Sequence, residues 1–120
     1  MNYIFLLYDD ESTGAAPGTP EFDEMMAGYM AFDEETRANG VFVSGEPLES
    51  VASATTVAVR DGKSNVTDGP FAETKEQLGG FYILDCKDLD EALKYAAKIP
   101  AAKSGRVEVR PIMIIPGMND

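Results

Sequence analysis

The chain has no histidine, no tryptophan and a single cysteine, Cys86, among its 120 residues. Without histidine, an imidazole can serve neither as general base nor as metal ligand. One thiol excludes an intrachain disulfide and favours a reducing compartment. Basic residues are scarce as well: 10 Lys and Arg stand against 21 Asp and Glu, a net charge of −11. Nucleic acids and anionic membranes are bound through Lys and Arg, so neither is an expected partner. No apolar run reaches the roughly 18 residues a membrane span requires. No basic leader with a small-residue cleavage site opens the sequence, so a cytoplasmic location is expected. No calcium-loop spacing of carboxylates is present, and no metal or cofactor is expected.

What is present suits one folded domain over residues 1–120. The apolar fraction is 44%, ordinary for a globular chain. Asn2–Tyr8 reads as a strand that is apolar on both alternating faces. Thr19 and Pro20 form an N-cap and first-turn pair. Behind them Phe22, Met25, Met26, Tyr29, Phe32 and Thr36 recur at helical spacing, with Met25, Met26 and Met30 as core filling. Asn39 and Gly40 stop that helix. Val41–Ser44 reads as a strand broken by Gly45, Glu46 and Pro47.

Asp61-Gly62 between Thr55–Arg60 and Lys63–Thr67 is the pair that a two-residue hairpin turn favours. Asp68 to Phe71 reads as a turn, and Ala72–Leu78 as one or two polar helical turns closed by Gly79-Gly80. The two glycines precede a strand, so they read as close backbone passage, not as a phosphate loop. Phe81–Cys86 is a strand. Asp88 with Glu91 caps a second helix whose buried stripe is Leu89, Ala92, Leu93, Ala96 and Ala97, ended by Pro100. Val107–Ile115 is the last strand, with Pro111 marking an edge or a bulge. The order is βαββαβ with an inserted hairpin, the ferredoxin-like α+β pattern.

Two helices cover one face of a four-stranded sheet, yet Asn2–Tyr8 and Phe81–Cys86 are apolar on both. A second copy, sheet against sheet, is the simplest cover, and the expectation is a homodimer enclosing a partly polar cavity.

Asp68 is the first candidate for chemistry there. On its rigid Asp-Gly-Pro turn it serves either as acid/base or ligand anchor, or as a structural cap of the turn. Phe71, Glu73 and Lys75 adjoin it and are candidates for the rim of a ligand site; the alternative for the charged pair is a solvated surface. Ser44, Glu46, Tyr82 and Arg110 lie on or beside sheet strands. Facing the cavity they would suit a small polar or anionic ligand, with Arg110 as carboxylate clamp. Cys86 reads as a buried, inert thiol.

The run Val66–Leu84, VTDGPFAETKEQLGGFYIL, resembles the signature of the YCII-related family in its DGPF-type branch. The Tyr3–Tyr8 strand, the Thr55–Gly62 hairpin, Ile99-Pro100 and Val107–Pro111 extend the resemblance over nearly the whole chain. It implies a dimeric α+β barrel. It also implies a His–Asp pair in a cleft, similar to small lactone isomerases, for the members proposed to be enzymes. For DGPF-type members it implies a possible link to extracytoplasmic-function sigma factors. The positions matching the pair are Gly28 or Tyr29 and Ile99, so both halves are missing here and whether this chain is an enzyme stays open.

Overall fold

The computed structural model describes residues 1–120. Strand β1 (Asn2–Asp9) leads through a short 3-10 turn and a loop to helix α1 (Pro20–Ala38) and strand β2 (Phe42–Pro47). Strands β3 (Thr55–Arg60) and β4 (Lys63–Asp68) follow, then β5 (Gln77–Asp85), α2 (Leu89–Ala96), a single turn α3 (Ala101–Ser104) and β6 (Arg106–Pro111). Four strands form an antiparallel sheet in the order β2-β5-β1-β6, and β3 with β4 forms a separate two-stranded sheet. Leaving the hairpin aside, that is the ferredoxin-like order expected from the element sequence.

Local chemistry explains the element ends. The Thr19 hydroxyl accepts the Phe22 N–H, and Pro20 opens α1. Asp88 accepts the Glu91 N–H at 2.9 Å, while Glu91 reaches back to the Lys87 N–H. Asp61 and Gly62 both have positive φ, 52° and 74°, as a type I′ turn demands.

Several expectations are corrected. Strand β2 runs through Gly45 to Pro47 because it is an edge strand: a proline there loses no inner ladder bond, and the missing Cβ at Gly45 leaves room for the Tyr82 ring. The 72–78 segment is not helical: Gln77 and Leu78 pair with β1, and the Thr74 hydroxyl and the Gln77 amide bind nearby backbone carbonyls. In α2 the buried residues are Ala92, Tyr95 and Ala96, whereas Leu89 and Leu93 are exposed. The final strand stops at Pro111, and the following Met113, Ile114 and Ile115 are exposed.

The core lies between the sheet and the helices. Tyr3, Phe5 and Leu7 point toward the helices and are buried with Leu84, Phe32, Ala92, Tyr95 and Ile99. Phe5, Leu84 and Ile99 are fully enclosed; burying each such side chain contributes about 1.5–3 kcal/mol. Helix α1 buries only Phe32 and Thr36, and Met26 and Met30 face outward, contrary to their expected role as core filling. Its N-terminal half therefore stands off the sheet.

The opposite face carries no helix. Two rows cross it, set by the strand register: Ser44, Ile83, Ile4 and Arg110 in one, Glu46, Phe81, Leu6 and Glu108 in the next. Each row is apolar in the middle and polar at both ends. The molecule is a plate of 48 × 44 × 18 Å with a radius of gyration of 16.4 Å. A closed domain of this length has a radius near 13.6 Å.

Candidate functional site

The residues singled out from sequence fall into three places. Ser44 and Glu46 on β2 and Arg110 on β6 share the uncovered face, but at opposite edges. Three strand spacings, about 14 Å, separate those edges. Within one chain they do not converge on a small ligand. Arg110 is moreover engaged: its Nε donates to Glu108 Oε2 at 2.9 Å.

Asp68 ends β4, opposite Thr55, and is exposed. The turn behind it is fastened by the Gly69 N–H to the Ala54 carbonyl at 2.7 Å and by the Thr56 hydroxyl to the Gly69 carbonyl at 2.8 Å. The Asp68 carboxylate is part of neither bond, so these bonds do not give it the structural capping role. Phe71 is 92% exposed, and Glu73 and Lys75 are exposed beside it. None of the four belongs to the main sheet.

Tyr82 points the other way. It stands opposite Phe5 on the helix-covered face, its ring 4.9 Å from Phe32 and 6.4 Å from Phe42. Alternation along β5 puts Phe81 and Ile83 on the uncovered face, and Tyr82 and Leu84 beneath α1. Tyr82 therefore cannot share a lining with Ser44 and Arg110.

Beneath α1 it meets a different set. Burial pushes the Tyr82 phenol well above its ordinary range, and the negative charge of Asp33 adds to the push, followed by the neighbouring Tyr29. Oδ1 of Asp33 is shut off from water and has no hydrogen-bond partner within 3.5 Å, and only a weak side-chain hydrogen bond with the Tyr82 phenol adds to the push on that group. Burial also raises the Tyr29 phenol, as does the charge of Asp9, against a smaller opposing contribution from the Ala101 backbone. Tyr29 and Asp33 are one turn apart on α1, so both reach the same side. The cluster is one carboxylate and two protonated phenols, edged by a second carboxylate, with no cation among them.

This arrangement has definite chemical capacities. The orphan Oδ1 is an acceptor in want of a donor. The phenols can donate to a ligand oxygen, and Asp33 can accept a proton from a ligand hydroxyl. Sequence reasoning missed Asp33. The signal was a charged residue set among Tyr29, Phe32 and Thr36, on the stripe that faces the sheet.

Of the positions matching the missing His–Asp pair, Tyr29 is itself part of this cluster, while Gly28 and Ile99 lie beside it. Gly28 packs on Pro100, where a Cβ would stand 2.9 Å from the proline Cγ, and Ile99 is wholly buried. A separate shallow groove of about 210 Å³, lined by Glu35, Asn39, Tyr95 and Lys98 among others, joins α1 to α2. It is bridged by the Lys98–Glu35 ion pair and the Asn39-to-Tyr95 hydrogen bond, and reads as a structural joint. No group of three potential metal ligands comes together, and no helix is long and apolar enough to cross a membrane.

Fold and site define a ferredoxin-like α+β protein with a phenol–carboxylate cluster between helix and sheet. The YCII-related domain model matches residues 1–116, and the chain belongs to that family. It is 39% identical over 116 residues to the uncharacterized protein R00369 of Rhizobium meliloti (strain 1021), covering 95% of this chain and 94% of that one. Its fold is similar to the solved structure of 5-chloro-2-hydroxyhydroquinone dehydrochlorinase (TftG) from Burkholderia phenoliruptrix AC1100 in complex with 2,5-dihydroxybenzoquinone. There the TM-score is 0.52 at 18% identity, over 100% of both chains.

Proposed function

We propose that the protein is a homodimer that binds a small polar molecule at the cluster of Tyr29, Asp33 and Tyr82. The observation that carries the ligand site is the buried Asp33 oxygen without a partner. An unsatisfied buried acceptor costs about 1–3 kcal/mol, which a donor arriving on a ligand would offset. An acidic cluster without a cation disfavours carboxylates and phosphates. The fitting class is a hydroxylated ring or a similar neutral molecule that donates hydrogen bonds. Any acid/base chemistry falls to Asp33 and the phenols.

The dimer is supported by the uncovered sheet face, where Ile4, Leu6, Phe81 and Ile83 form an apolar centre between polar ends. Pairing two such faces brings the Ser44 and Glu46 edge of one copy toward either edge of the other. The interior lined by Ser44, Glu46 and Arg110, near Asp68, expected from sequence would exist only in that assembly.

A second reading is a non-catalytic interaction protein, with an extracytoplasmic-function sigma factor as one partner by family resemblance. The acidity of the chain and its exposed hairpin favour it.

Thermal shift separates the readings. Neutral hydroxylated aromatics should raise Tm for the wild type, and carboxylates should not. Asp33→Asn should remove the response. A flat response across both classes sinks the ligand reading and leaves the interaction protein.

A further inference from the structure

The β3–β4 hairpin has a job the rest of the chain does not explain. It is hydrogen-bonded to no strand of the main sheet, and every residue of β4 is exposed. A lone two-stranded sheet is marginal in water and needs a cover. Its register gives it two unlike faces. Val57 lies directly opposite Val66, Val59 opposite Ser64, and Thr55 opposite Asp68, so these six side chains share one face. The three valines are 57–65% exposed, a contiguous apolar strip on an arm. The tip carries Arg60 opposite Lys63, on the face of the ribbon away from the valines, with Asp61 in the turn between them. Neither forms an ion pair within the chain, whose four ion pairs all lie elsewhere.

We propose that this hairpin is an exchange arm that docks its valine face on the second copy of the chain, with Arg60 and Lys63 at its tip reaching past that contact toward the copy's acidic surface. The inference rests on the homodimer proposed above. Charge selects the occupant: two cations without an ion pair, offset by Asp61 alone, leave the tip net positive on a chain of net charge −11, complementary to that chain itself. Helix α1 alone offers the exposed Glu21, Asp23, Glu24 and Glu34.

Area agrees. Four strands at about 4.8 Å spacing, roughly 20 Å long, give the open face a footprint near 400 Å². That is about half of the roughly 800 Å² per partner that a standard interface buries. An arm of two strands adds about 200 Å², and the surface that the partner's arm covers adds about 200 Å² more, which closes the gap. Asp68 shares the valine face. A carboxylate exposed in its own chain is thereby presented to the other copy.

The test is light scattering across a dilution series, paired with hydrogen exchange of the arm. Wild type should show twice the 13.0 kDa chain mass. The double variant Arg60→Glu, Lys63→Glu lies outside the core; its dimer should dissociate at least tenfold more readily at low salt, the gap narrowing as salt rises. Ile83→Glu, on the sheet face, should give monomers in which the amides of residues 55–68 lose the protection they have in the wild-type dimer. Unchanged affinity in the charge variant, or arm amides that exchange equally fast in dimer and monomer, overturns the exchange arm and leaves a sheet-only dimer. Wild type at a single chain mass overturns the homodimer and the arm together.

Discussion

The phenol of Tyr82 on β5 and the carboxylate of Asp33 on α1 face each other beneath the helix, and one oxygen of that carboxylate has no hydrogen-bond partner. Helix and strand are thus joined at a point of electrostatic cost, where the fold alone would favour an apolar pair. That cost is the reason to place ligand binding there.

The cost is measurable as ionisation. The Tyr82 pKa is raised from 10.0, first by burial and then by Asp33. A folded-state pKa above the unfolded value keeps the proton on the native chain after the unfolded chain has lost it. Stability is therefore intact below about pH 10 and falls as pH rises beyond it. Absorbance titration of the tyrosines should show one phenol ionising well after the others. Tyr82→Phe should delete that step, and Asp33→Asn should move it down. An Asp33→Asn titration identical to the wild type would remove Asp33 from the account.

Much of the fold was legible because the signals were local. Thr19-Pro20, Asp61-Gly62 and Asp88 with Glu91 each carry their own chemistry, and each sits where that chemistry puts it. The errors arose where tertiary contacts decide. The strand through Gly45 depends on Tyr82, a residue 37 positions away, and the extended path of Gln77 and Leu78 depends on β1. The grouping of Tyr82 with Ser44 and Arg110 came apart for a sharper reason. Ser44, Tyr82 and Arg110 were grouped as sheet residues, but the face of each is fixed by register, and the β2 irregularity between Phe42 and Ser44 is invisible in sequence.

Gly45 is held by space. A Cβ there would stand 2.5 Å from Cδ1 of Tyr82 and 3.1 Å from the Phe81 carbonyl oxygen. Gly45→Ala must displace the ring or the edge strand, an overpacking cost of about 1–3 kcal/mol. Gly79 has open space around its Cβ position, so Gly79→Ala is the control. Urea unfolding should show the first variant clearly less stable than the second. Equal midpoints would mean that the ring moves aside freely.

Ile99 stands where the resemblance places the family's acidic residue, and it has no solvent exposure. An aspartate there would be a buried charge without a cation, which this interior does not tolerate. Ile99→Asp should lose several kcal/mol at neutral pH and recover part of it near pH 4, where the carboxyl is protonated. Ile99→Ala should cost about 2–5 kcal/mol with no such pH dependence. The difference between the two curves tests whether this chain has closed the position to acid chemistry.

Cys86 gives the last and cleanest titration, since it is the chain's single thiol. Burial, with the charges of Glu91 and Asp85 behind it, pushes its pKa from 9.0 up to about 11, against the opposing N-terminal ammonium. Below pH 9 the thiol is protonated in the folded and unfolded chain alike. Between pH 9 and 11 the unfolded chain ionises and the folded one does not. Stability then falls with pH, at a slope of at most about 1.4 kcal/mol per pH unit from this group. Cys86→Ala removes the titrating group and leaves a small void, so it should start less stable at pH 8 and converge toward the wild type by pH 11. Urea midpoints taken across that range for both proteins give the difference directly. Parallel curves would mean that the thiol ionises as readily in the fold as out of it, and that the seal around β5 and the chain's first residue is open.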